Sequence, residues 1–183
     1  DLDSQLGSSS VESVVETAVS AVKACIKKTG YLYADTHSTQ PVKLDVYNGK
    51  KAEFIISGDK LFVKSFDDLN DTFSLFRHTV TNGVVSAAEM LDTGIKACDI
   101  IGTDVWYQRS VTGSSLCDLY KYSAEKEKID GDVASFAELP DGSVLIVKNF
   151  VSSSDGEIAD LYLYDGKKTS LVAEKAEFKN MKY

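Results

Sequence analysis

Two histidines, three cysteines and a few acidic loops hold what reactive chemistry this sequence offers. His37, in Asp35-Thr36-His37-Ser38-Thr39, would serve a hydrolase as general base to a neighbouring hydroxyl, but no G-x-S-x-G elbow accompanies it. His78 ends the aromatic run Phe73-Ser74-Leu75-Phe76-Arg77 and reads as a strand-end surface residue. Cys25, Cys98 and Cys117 form no C-x-x-C pair and read as buried thiols, with a Cys98–Cys117 disulfide as the alternative in an oxidising compartment. The loops Asp67-Asp68-Leu69-Asn70-Asp71 and Asp130-Gly131-Asp132 carry hard oxygen ligands, yet neither has the register of a calcium loop. Turn-forming acids account for them. Neither a phosphate loop nor a dinucleotide fingerprint is present. The sequence predicts no catalytic residue, no metal and no cofactor.

Aromatic residues are the better candidates. Trp106, Tyr107, Tyr120, Tyr122, Tyr162 and Tyr164 lie in short alternating runs, and rings with a polar edge give the contact area that a glycan or peptide needs. Filling of a core between sheets accounts for the same residues. The two readings differ in where the rings point.

The elements that would carry them follow from composition and rhythm. With 183 residues and 43% hydrophobic content the chain makes one domain or two small ones, burying roughly 70% of its unfolded surface. Disorder, a disulfide scaffold and an apolar membrane span are excluded on composition. A net charge of −8 repels nucleic acid and anionic membrane surfaces, and the lysine pairs form no basic stripe. Residues 1–10 read as a flexible lead-in, of the kind expected after a removed signal or anchor. Residues 11–29 repeat apolar positions at three and four residue steps, with Ser9 and Glu12 at capping-box spacing and Gly30 placed to stop the turn. That predicts an amphipathic helix packed on the same domain.

Beyond Gly30 the rhythm becomes that of strands. Runs such as Leu61-Phe62-Val63 and Val144-Leu145-Ile146-Val147 alternate with Asn-Gly or Asp-Gly pairs at residues 48, 82, 130, 141, 155 and 165. These dipeptides supply the positive φ of tight hairpins, which is how a chain with two prolines turns. Residues 86–100 fit a short helix or a strand equally. Asp118-Leu119-Tyr120-Lys121-Tyr122 is answered 42 residues later by Asp160-Leu161-Tyr162-Leu163-Tyr164, and Lys128-Ile129 through Phe136 falls opposite Ser170-Leu171 through Phe178. A unit of this length marks β-propeller blades or a related meander array. The expected fold is mainly β: tandem β-meander units, propeller-like or as a curved sheet, three to four of them over residues 30–183, with the one N-terminal helix.

These repeats, together with Leu139-Pro140-Asp141-Gly142-Ser143-Val144, resemble tandem β-propeller-like repeats of secreted or membrane-anchored cell-envelope proteins of Gram-positive bacteria. The resemblance covers about residues 58–178 and implies fold and an extracytoplasmic location rather than an activity. The resulting expectation is a non-enzymatic binding or scaffolding module of the envelope with a protein or glycan partner. A hydrolase using His37 is the second expectation. Self-assembly into a homo-oligomer is the third, since an incomplete ring leaves a sheet edge to cover.

Overall fold

A computed structural model describes residues 24–28, 31–35, 42–44, 51–67, 71–82, 84–154 and 156–178. The chain divides into two compact units, residues 1–94 and 95–183. Strands predominate in both, and most strands pair antiparallel with their neighbours in sequence. Among the described residues no helix is long and apolar enough to cross a membrane.

In the first unit, β1 (Ala24–Lys28), β2 (Tyr31–Asp35) and β3 (Val42–Leu44) form a three-stranded sheet. The expected helix over residues 11–29 therefore does not hold at its C-terminal end. All five residues Ala24–Lys28 pair with β2, Ala24 opposite Asp35 and Lys28 opposite Tyr31, so the ladder takes the backbone groups a helix would use internally. The rest of that expectation, and the lead-in, lie outside the described residues. A second meander follows: β4 (Ala52–Ser57), β5 (Lys60–Asp67) and β6 (Thr72–Thr81), with β7 (Val84–Val85) hairpinned onto β6. Gly58, at φ 57°, closes the two-residue turn between β4 and β5. Leu61, Val63, Val80 and Leu44 are the buried centre of this unit.

β8 (Glu89–Ile101) settles the ambiguous segment as a strand. Leu91 and Ile95 are buried at a spacing of four, yet residues 95–101 pair with β9, and the ladder decides. The second unit continues with β9 (Asp104–Ser110), β10 (Cys117–Tyr122), β11 (Lys126–Glu138), β12 (Val144–Ser153), β13 (Gly156–Tyr164) and β14 (Thr169–Phe178). Each pairs with the next, so the units expected from the repeat are not separate blades. The ladder runs through the junction between copies, because β11 pairs with both β10 and β12. The arrangement is an open meander, with β14 paired only to β13 among the described residues.

This meander folds over on itself. Trp106 in β9 and Tyr164 in β13 are four strand spacings apart along the ladder, about 19 Å in a flat sheet, yet their ring centroids are 5.4 Å apart. The bend lies in β11, which pairs with β10 through Lys126–Asp130 and Val133 and with β12 through Val133–Glu138. Between them the register slips, with Asp132 at φ 56° in the bulge. Asp130-Gly131, expected as a hairpin turn, is thus the corner of one long strand. The corner is tight at Gly131, where a Cβ would sit 3.3 Å from Asp118 Oδ1 and the carboxylate would have to give way. Asp130 Oδ1 holds the corner by accepting from Gly131 N and from Lys148 Nζ, each at 2.8 Å. Leu119, Val133, Val144 and Ile146 fill the space between the two layers.

Candidate functional site

The fold decides where the six aromatic candidates point. Residues opposite one another in a ladder share a face, and residues one apart do not. Tyr107 lies opposite Tyr120, whereas Trp106 lies opposite Lys121. Trp106, Tyr162 and Tyr164 therefore face the space between the layers, and Tyr107, Tyr120 and Tyr122 face the other side. No single face carries all six rings. Tyr107 stacks on Tyr120 at 5.5 Å, and Lys126 Nζ lies 4.5 Å from the Tyr120 centroid. In the second copy Tyr164 is buried and Tyr162 packs against the core, as the core-filling reading of these rings has it, whereas Tyr120 and Tyr122 are half-buried on the other face. The bulges change the alternation between one copy and the next, so similar sequence presents opposite faces.

Trp106 and Tyr164 line a cavity of about 520 Å³. It opens where the β8–β9 turn of one layer meets the β11–β12 and β13–β14 turns of the other. Lys121 Nζ lies 5.9 Å from the Tyr164 centroid and 3.5 Å from Glu127 Oε2. Carboxylates of Asp104, Glu138, Asp141 and Asp165 share the lining with this one ammonium.

Two of those carboxylates are fixed by the turns they make. Asp141 Oδ1 accepts from Ser143 Oγ at 2.5 Å and from Ser143 N at 3.0 Å. These bonds hold its carboxyl below the usual range. Asp165 Oδ1 accepts from the backbone N–H groups of Lys168 and Lys167, at 3.0 and 2.9 Å, with the same effect. Gly142 at φ 80° and Gly166 at φ 93° let both turns close. The result is two turn-held carboxylates, Asp141 and Asp165, lining one cavity with Trp106 and Tyr164. Such a cavity suits a ligand that donates hydrogen bonds and offers C–H surface to a ring.

Sequence reasoning identified Trp106 and Tyr164 but not Lys121, Asp104, Glu138, Asp141 or Asp165 as lining residues. The available signal was the two Asp-Gly turns, which close successive hairpins and so come to the same end of a meander. What it lacked was the fold-over that brings Trp106 to them.

The remaining candidates fall elsewhere. His37 lies outside the described residues. His78 is buried rather than superficial, its Nδ1 2.9 Å from the Ser86 carbonyl, because the β6–β7 hairpin covers it. Cys98 and Cys117 do not form a disulfide. Cys98 sits opposite Tyr107 and Cys117 opposite Ser110, on strands flanking β9 and on opposite faces. That separates them by more than about 10 Å, beyond a disulfide's Cα reach of about 7 Å. Burial pushes the Cys117 thiol up. Cys25 has no described side chain. Among the described residues no group of three or more His, Cys, Asp or Glu side chains is placed to hold a metal ion.

No protein-family model matches the chain, and neither curated proteins nor solved structures give a significant match.

Proposed function

We propose that the chain is a non-enzymatic binding module of a bacterial cell envelope, acting outside the cytoplasm, and that its ligand is a glycan held in the Trp106–Tyr164 cavity. The observation that carries the ligand reading is the cavity's make-up: two aromatic edges beneath carboxylates fixed by turn hydrogen bonds. Sugar hydroxyls donate to such acceptors, and the C–H face of a pyranose packs on a ring. A neutral or amine-bearing saccharide fits the excess of carboxylates over Lys121. The location rests on the resemblance of the repeats to envelope proteins.

Isothermal titration of the full chain with neutral, amine-bearing and uronate oligosaccharides tests the ligand. Saturable heat with the first two and none with the third is expected. Heat with none of the three overturns the glycan reading. Protease accessibility of the chain in intact cells tests the location, and a chain protected until the membrane is breached overturns it.

A further inference from the structure

The lining of the Trp106–Tyr164 cavity is uneven in charge, and the unevenness has a position. One layer supplies Trp106 and Lys121, which lie opposite one another on β9 and β10, and Asp104 at the start of β9. The facing layer supplies Glu138 at the end of β11, Asp141 in the β11–β12 turn and Asp165 in the β13–β14 turn. Those two turns are neighbours, because Val144 and Tyr164, which adjoin them, are partners in the β12–β13 ladder. Lys121 is the one ammonium of the lining, and its charge is already met. Glu127, its partner in the β10–β11 ladder, lies outside the lining with Oε2 3.5 Å from Lys121 Nζ. The turn bonds from Ser143, Lys167 and Lys168 all go to Oδ1 atoms, so Oδ2 of Asp141 and of Asp165 stays clear of them.

We infer that the saccharide this cavity selects carries a protonated amine, with the ammonium at Asp141 and Asp165 and the sugar ring on the Trp106–Tyr164 pair. The inference rests on the glycan reading and names the group that the site chooses. A recess lined by four carboxylates and one paired ammonium concentrates negative potential, and a cation entering it is attracted where a neutral hydroxyl is not. An ammonium brings three donors, and its bonds to carboxylates are roughly twice as strong as neutral ones. Each carboxylate about 4 Å from the amine adds about fivefold to affinity even at the dielectric of water. N-acetylation removes the charge and leaves a single amide donor on the same ring. The contrast between the free amine and its acetylated form therefore isolates the charge from the fit of the sugar.

Glucosamine tetramer and N-acetylglucosamine tetramer are the probes, titrated into the full chain by calorimetry in mildly acidic buffer, where the amine is protonated. The free-amine tetramer binds about tenfold more tightly or better. Raising salt from about 0.05 to 0.5 M erases most of that advantage in the unaltered chain. Asp165→Asn keeps an Oδ1 acceptor for the Lys167 and Lys168 amides and removes the charge, so the ratio of the two affinities falls about fivefold. Lys121→Gln moves the ratio the other way. Equal affinity for the two tetramers, or an advantage indifferent to salt and to both substitutions, overturns the inference and leaves the glycan reading in place. Heat with neither tetramer overturns both.

Discussion

Replacing Ile146 by alanine tests the fold-over at its centre. Ile146 is fully buried, with Phe136 opposite it on β11 and Tyr162 opposite it on β13. The substitution removes three carbons, about 2.4 kcal/mol of transfer free energy at ~0.8 kcal/mol each. A partly relaxed cavity between the layers adds ~1–2 kcal/mol, for a cost of about 4 kcal/mol. A unit of roughly 90 residues has about 4–13 kcal/mol of stability, so this one change removes a third or more of it. Urea unfolding followed by the emission of Trp106, the single tryptophan, reports on the same cluster. With a slope of about 1–3 kcal/mol per molar, the midpoint falls by about 1.3–4 M. Val172→Ala, at an exposed position of β14, stays within about 0.5 kcal/mol of the parent. An Ile146→Ala midpoint indistinguishable from that control would refute the two-layer packing.

Gln108 is buried, and its Nε2 donates to the carbonyls of Val133 and Ala134 beside the β11 bulge, at 3.2 and 3.1 Å. Gln108→Ala leaves those acceptors unmet and costs about 1–3 kcal/mol in the same urea assay. Acid weakens the second unit. The carboxyls of Asp160, Asp141 and Asp165 are held low, for Asp160 chiefly by the Asn149 side chain, so their contribution is present above the unfolded value near 3.9 and is lost as pH falls through the folded one. The urea midpoint therefore drops below about pH 4, and less so in Asp160→Asn. Alkali acts oppositely on Lys128, raised by its hydrogen bond to Asp118: that contribution persists below about pH 10.4 and is lost above it. Peptide mapping after mild oxidation finds no Cys98–Cys117 crosslink, and buried Cys117 reacts slowly with a thiol reagent until urea is added.

Strand content was legible because it is local. Alternation and Gly-containing turns place β5, β9, β10, β12 and β13 without any tertiary information, while the apolar run Val144–Val147, which reads as a strand covered on both faces, is buried at Val144 and Ile146 and only half-buried at Leu145 and Val147. Asp130-Gly131 misled for an equally physical reason. The same dipeptide that closes a hairpin also fits a bulge, and the outcome depends on which strands stand on either side. That bulge decides the layers, and so decides that Trp106 meets Tyr164, while alternation along β9 and β10 turns Tyr107 and Tyr120 to the other face. Alternation separates Tyr107, Tyr120 and Tyr122 from Trp106, but the fold-over that brings Trp106 to Tyr164 is a feature that period-two reasoning does not contain. Ala24–Lys28 shows the reverse case, where a helical spacing of apolar residues yields to a ladder with β2.

The glycan cavity is the central claim, and its aromatic wall contains the chain's one tryptophan. Emission of Trp106 recorded while the full chain is titrated with a neutral or amine-bearing oligosaccharide tests it most directly. A saturable spectral shift, abolished by Asp141→Ala under conditions where the variant stays folded despite the loss of its turn hydrogen bonds, is the predicted result. An unchanged spectrum at concentrations where calorimetry shows the sugar bound would place the ligand elsewhere and contradict the account.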